Sequence, residues 1–206
     1  MPPTPSLARS ERAQLADLLD ELGPDAPTCC DGWDTAHLAA HVVVRDRRPD
    51  AGPGFGLERF RVGQPLAAWS HHLEDRLRTS TPYAEVVDRV RSGPPSWSPL
   101  AWPSVDSAVN RTEFVIHHED VRRAQPGWAP RALPVRVQDS LWGAAVLFGR
   151  AAAATRRGSL VLRRGDVAGV AKRLGSGEPV TTVTGEPLEL LLWATRRQGI
   201  ARVEVS

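Results

Sequence analysis

The sequence predicts an α+β protein, with a helical N-terminal domain over residues 1–130 and a small mixed α/β domain over 131–206. Three observations lead there. Apolar residues recur at three- and four-residue intervals through much of the first 125 positions. After Pro130 the texture changes to short β-branched runs, SLVLRR, VAGVAKRL, PVTTVT and ARVEVS, separated by Gly and Asp. The chain is 41 % hydrophobic and 24 % charged, the balance of a globular protein that buries cores rather than of a disordered one.

The elements follow in order. Leu7, Leu15, Leu18, Leu19 and Leu22 fall at helical spacing, and Gly23-Pro24 stops that helix. Asp34 is placed to cap the next helix, which runs to about Arg47 before Pro49. A glycine-rich loop covers residues 51–56. A third helical region starts after Pro65 and breaks near residues 79–82, where Thr81 can cap and Pro82 take the first helical position, and it resumes from Tyr83 to Arg91. The segment SGPPSWSPLAWPS is too rich in proline for a regular helix. Asp106 to Ala124 reads as helix, ended before Pro126-Gly127, and Val135 to Ala154 as another. Glu186 to Arg197 reads as an amphipathic helix entered near Pro187; VTGEP is a turn leading into it. No internal repeat is visible.

Composition excludes several functions. The net charge is +2 with 26 basic and 24 acidic residues, and the arginines are interleaved with Asp and Glu. No one-sign block offers an extended phosphate-binding stripe, so nucleic acid is not an expected partner. Lys172 is the sole lysine, an Arg dominance in keeping with a GC-rich genome. No apolar run approaches the ~20 residues of a membrane span, and MPPTPSLARSER lacks the apolar core of a signal peptide. The expectation is a soluble, cytoplasmic protein, monomer or homodimer, with no membrane partner. Cys29 and Cys30 are adjacent, which suits neither a disulfide framework nor a CxxC pair, and they read as small packing residues before a helix.

The chemistry concentrates in two helical stretches. Glu113 and His117 stand four residues apart, on one side of a helix and about one turn from each other. On a helical wheel Val105, Val109 and Ile116 form an apolar arc, with Glu113 and His117 beside it; His118 points away, toward Arg111 and Arg122, and reads as solvated. A carboxylate near a buried face is costly unless paired, hydrogen-bonded or metal-bound, so Glu113 is the informative residue. Two readings stand at this point. Glu113 can pair with a buried arginine beside a core histidine, or Glu113 and His117 can ligate a divalent cation with His41, which lies in the apolar context LAAHVVV.

The chain resembles the DinB-like superfamily, in its branch of mycothiol-dependent maleylpyruvate isomerase-like proteins. The resemblance rests on CDGWDTAHLAAHVVVRDRRPD (30–50), EFVIHHEDVRRA (113–124) and VTGEPLELLLWATRR (183–197), which span nearly the whole chain in order. The RDRRPD and HHEDVRRAQPGW runs are similar to an actinobacterial subgroup described only as metal-binding. The resemblance implies an N-terminal four-helix bundle holding one metal, whose ligands are His41, Glu113 and His117 here. The chain departs from the family pattern at His37, a position often acidic there; His37 lies one turn before His41 and is read as a supporting or surface residue in preference to a fourth ligand, which would close the site. Asn110 and Asp120 are further candidates for supporting the ligands. Two imidazoles and one carboxylate suit Zn²⁺ with an exchangeable position, and also accept Ni²⁺, Fe²⁺ or Mn²⁺.

The remaining features are weaker. His71 and His72 sit on a polar helix face. Trp97 and Trp102 can line a pocket mouth or anchor their loop, whereas Trp33, Trp69, Trp128, Trp142 and Trp193 read as packing groups. Arg45 can reach an anionic substrate or thiol, or pair with Asp46. No Gly-rich phosphate loop and no GxSxG occurs. The leading reading is a metal-dependent enzyme that uses a low-molecular-weight thiol, mycothiol by the resemblance, for S-transfer, conjugation or isomerisation of a small electrophilic substrate. A non-catalytic metal-binding protein and a metal-assisted hydrolase, with Asp120 as the local base candidate, are the alternatives.

Overall fold

The computed structural model describes residues 6–48, 50, 64–96, 98 and 110–206, and the chain divides into two compact units, Met1–Trp128 and Ala129–Ser206. Among the described residues there are seven helices and one four-stranded sheet. None of these helices is long and apolar enough to cross a membrane.

In the first unit α1 spans Leu7–Leu22. Ser6 caps it, its Oγ accepting from Arg9 N at 3.3 Å, and Gly23 ends it. Helix α2, Thr35–Arg47, is capped by Asp34, whose Oδ1 accepts from the His37 amide at 2.9 Å. Helix α3 covers Gln64–Ser80 and α4 covers Tyr83–Ser92. The break between them falls as the sequence indicates, but Pro82 stands at the cap, one position earlier than read, and its carbonyl accepts from Val86 N at 3.1 Å. Helix α5 is described over Arg111–Arg122; the expected start at Asp106, the Val105–Val109 part of the apolar arc, the 51–56 loop, Trp97 and Trp102 lie outside the described residues.

One core joins four of these helices. Leu15, Ala16 and Leu19 of α1 pack with Leu38, Ala39, Val42 and Val43 of α2, Val86, Val87 and Val90 of α4, and Phe114 and Val121 of α5. Helix α3 is pinned to α2 through Val44 and Leu73. Burying such Leu, Val and Phe side chains contributes about 1.5–3 kcal/mol each relative to exposure. A charged layer lies beside this core. Arg12 bonds Asp46 at 3.2 Å and stacks over Phe114, and Glu11 bonds His118 at 2.7 Å. His118 is therefore buried, not solvated as the wheel suggests, because α1 covers the side of α5 that a single-arc wheel leaves open. Gly93 closes α4 with φ +71°, and a Cβ there would stand 2.5 Å from the Arg12 guanidinium. Trp69, read as a packing group, is instead on the surface, stacked near His72.

Tyr83 gives this unit a spectroscopic reporter, being the chain's one tyrosine. Its hydroxyl donates to the Leu19 carbonyl at 3.0 Å. Burial pushes its pKa up to about 12, aided by the nearby Asp20 and Asp34. The sign is that of a raised pKa: the stabilisation is complete below the unfolded value of ~10 and is lost as pH rises through the folded value. Alkaline difference absorbance on the native protein is expected to show one phenol titrating near pH 12, moving to about 10 in denaturant. Titration at about 10 in the native state would contradict this packing.

In the second unit α6 spans Val135–Ala153, and the strands are β1 (Ser159–Arg164), β2 (Ala171–Leu174), β3 (Val180–Gly185) and β4 (Glu204–Val205). The sheet order is β2-β1-β3-β4, with β1 and β3 parallel and the two outer pairs antiparallel. Gly158 precedes β1 with φ +80°, where a Cβ would meet the Pro179 carbonyl oxygen at 2.0 Å, so only glycine fits. Helix α7, Pro187–Ala194, is buried along its whole length rather than amphipathic, and stops earlier than Arg197 because the chain turns at Arg196 with φ +71°. Gln138 of α6 receives the start of α7: its Oε1 accepts from Leu188 N at 3.0 Å and its Nε2 donates to Glu186 at 2.6 Å.

Candidate metal centre

Helix α5 presents Glu113 and His117 from successive turns, and α2 presents His41 from its middle. Glu113 Oε1 stands 3.0 Å from His117 Nε2 and 3.5 Å from His41 Nε2. The two rings are 5.2 Å apart, centroid to centroid, and nearly perpendicular at 72°. The three donor atoms lie within 4.8 Å of one another. Around a tetrahedral Zn²⁺ with bonds of ~2.0–2.1 Å, neighbouring donor atoms stand roughly 3.3 Å apart. The two measured edges bracket that value.

Each ring is held from behind. His41 Nδ1 meets Glu74 Oε1 at 2.8 Å, and His117 Nδ1 meets Asp120 Oδ2 at 3.0 Å. An Nδ1–H donated to a carboxylate fixes the tautomer that leaves the Nε2 lone pair outward, and it raises the basicity of that nitrogen. This is the support that metal-ligating histidines use, and here both rings have it, which is the observation that makes the trio fit a cation.

Without a cation the cluster is held by its own charges. Burial disfavours the Glu113 carboxylate, but the Arg45 guanidinium and hydrogen bonds from His117 and His41 outweigh it and hold the carboxyl well below the usual range. Burial likewise opposes a charge on His117, yet Asp120, Cys30 and Glu113 raise its pKa well above the usual imidazole value. The charged form of His117 is thus favoured, between two acids.

The other residues singled out by the sequence take different places. Arg45 Nε is 3.6 Å from Glu113 Oε1, and its Nη1 bonds Asn110 Oδ1 at 3.0 Å and lies 3.5 Å from Asp46. Asn110 therefore orients the arginine that faces Glu113. His37 is turned to Asp34, Nδ1 to Oδ1 at 2.7 Å, at the mouth of α2. Trp33 tilts against His41 with ring centroids 5.0 Å apart. A shallow cleft of about 220 Å³ on the Nδ1 side of His41 is lined by His37, His71, Arg78, Trp33 and Glu74 among others, and by none of the trio. Glu74 and Trp33 are its link to His41.

Two residues escaped the sequence reading. Glu74 was hidden in the polar run WSHHLEDRLR, although Ala67, Ser70, Leu73 and Glu74 form one buried stripe at helical spacing. A carboxylate in line with Ala67 and Leu73 was the available signal. Cys30, read as a packing residue, places its Sγ 3.2 Å from Asp120 Oδ2; neither cysteine is in a disulfide. Replacing Glu74 by Ala is expected to weaken Zn²⁺ binding by ~10–100-fold, the usual cost of losing such a partner. Competition titration with a chromophoric chelator measures it; an unchanged affinity would remove Glu74 from the centre.

No protein-family model matches the chain, and no curated protein matches it. Solved structures do. The crystal structure of the mycothiol-dependent maleylpyruvate isomerase matches with a TM-score of 0.58 and 17 % identity, over 97 % of this chain and 90 % of that one. The structure of a histidine-to-alanine mutant of that enzyme matches with the same values. The folds are related. At this identity the likeness speaks for the fold alone.

Proposed function

We propose that the protein is a metal-dependent enzyme of the DinB-like, maleylpyruvate isomerase-like kind, which uses a low-molecular-weight thiol on a small electrophilic substrate. The first unit would act as the metal-binding helical bundle, with His41, Glu113 and His117 as ligands. The supporting observation is the pair of imidazoles whose Nε2 atoms converge on one Glu113 oxygen while Glu74 and Asp120 hold their Nδ1 atoms. Three protein donors with a further vertex for exchange is the pattern of a catalytic rather than a structural zinc. A divalent cation there, Zn²⁺ by donor type, supplies a positive charge that lowers a thiol's pKa and gives thiolate at neutral pH.

The chain's own groups do the rest. Glu74 and Asp120 keep the two rings oriented. Arg45, held by Asn110 and Asp46, places a guanidinium beside the centre, where it attracts an anionic thiol or substrate. The thiol then adds to the electrophile, for S-transfer, conjugation or reversible-addition isomerisation. Mycothiol as the thiol is supported by the name of the enzyme that shares the fold. Metal-assisted hydrolysis fits less well, since Asp120, its candidate base, is wholly buried and bonded to the Nδ1 side of His117, away from the Nε2 vertex. A Co²⁺-substituted protein tests the reading. Adding mycothiol, or a simpler thiol in its place, should alter the visible cobalt spectrum at about stoichiometric concentration. A spectrum indifferent to every thiol would leave a metal-binding protein without thiol chemistry.

A further inference from the structure

The Nδ1 face of His117 carries a second set of donors. Cys30 Sγ is 3.2 Å from Asp120 Oδ2, and Asp120 Oδ2 is 3.0 Å from His117 Nδ1. These sulfur, oxygen and nitrogen atoms all lie within 4.8 Å of one another. We propose that Cys30, His117 and Asp120 form a second cation site, for a thiophilic divalent ion of the Zn²⁺ or Cd²⁺ type, and that His117, its Nδ1 proton released to solvent in place of its hydrogen bond to Asp120, bridges the two centres as an imidazolate when both are filled. The site shares His117 with the centre proposed above, but His41 and Glu113 take no part in it.

Geometry comes first. Zn–N and Zn–O bonds of ~2.0–2.1 Å and Zn–S of ~2.3 Å place tetrahedral neighbours roughly 3.3–3.6 Å apart. The two measured separations are within a few tenths of an ångström of that, so the donors close on a cation with small side-chain movement. The sulfur is held in place by the backbone. The Cys29 amide donates to the Asp120 carbonyl at 2.9 Å, and the Cys30 amide to Thr28 Oγ1 at 3.2 Å, so the loop before α2 is tied to the helix that carries the other two donors. Cys30 is half-buried whereas Asp120 and His117 are buried, which leaves an approach from the sulfur side.

Donor chemistry separates the two sites. A thiolate, a carboxylate and an imidazole are a softer donor set than the first centre, so the two sites differ in metal preference.

The test is a Co²⁺ and Zn²⁺ titration of the full chain in thiol-free buffer with the cysteines reduced. Only a sulfur ligand gives the intense near-ultraviolet thiolate-to-cobalt band, and the first centre has none. The wild type should show the band and take up two equivalents of Zn²⁺. Cys30→Ser should lose the band and keep one equivalent, while His41→Ala should keep the band and one equivalent. Absence of the band in saturated wild type, or its survival in Cys30→Ser with loss in Cys29→Ser, overturns the second site. Zinc content that His41→Ala leaves unchanged counts against the first centre alone. The wild-type spectrum decides the matter even if a variant fails to fold.

Discussion

Glu113→Gln and His41→Ala should each abolish stoichiometric metal at the centre, weakening it by more than the ~10–100-fold that loss of a supporting partner costs. Glu113 Oε1 is the atom both Nε2 nitrogens face, so the amide removes the one negative donor of the trio. Metal analysis after gel filtration in a Cys30→Ser background, where this centre alone is left to fill, reads the effect, and retention of a full equivalent by both variants would end the assignment. The same centre predicts a pH dependence with a definite sign. In the metal-free protein His117 has a folded pKa raised above its unfolded value of ~6.5. Its stabilising contribution is complete below that value and is lost as pH rises through the folded pKa. Ligation requires His117 Nε2 without its proton, so metal binding releases protons and tightens with rising pH. The increase in Tm given by saturating Zn²⁺ should therefore grow between about pH 6 and 8. A flat difference over that range would exclude His117 as a ligand.

The largest expected loss of stability lies two residues past His117 on α5, at Glu119. Its carboxylate is fully buried, bonded to Arg123 Nε and to Arg122 at 3.2 Å through two nitrogens. Arg123 is itself buried, its guanidinium 4.7 Å over the Trp128 ring. Removing one member of a buried ion pair leaves the other charge desolvated, at a cost of about 3–5 kcal/mol. Glu119→Gln is expected to lose that much in urea unfolding, a midpoint shift of roughly 2 M at typical slopes. Glu85→Gln is the control, since Glu85 pairs with Arg89 at 2.6 Å on an exposed helix face, where such a pair contributes about 0.5 kcal/mol or less. Equal, small effects at both positions would mean that the α5 charges are solvated in solution.

Much of the chain's outline was legible in its residues. Asp34, Gly23 and the Pro82 break mark helix ends through local chemistry, and local chemistry survives in a single sequence. The β-branched runs after Pro130 read as strands for the same reason. The misreadings share a different origin. His118 looked solvated and Glu186–Arg197 looked amphipathic because a wheel assumes one buried side. Helices α5 and α7 are packed on more than one side, and then charge is no guide to exposure: Glu11 and His118 satisfy each other inside. Glu74 and Cys30 were passed over because each matters only through a partner far along the chain, His41 in one case and Asp120 in the other.

The sequence alone determined that Glu113 and His117 share one helical side, since a 3.6-residue period fixes neighbours four positions apart whatever surrounds them. Only the tertiary structure decided that His41 meets them, that Glu74 and Asp120 stand behind the two rings, and that Arg45 faces the carboxylate. Those distances depend on how α2, α3 and α5 pack, and packing is set by the whole shared core rather than by any local run of residues.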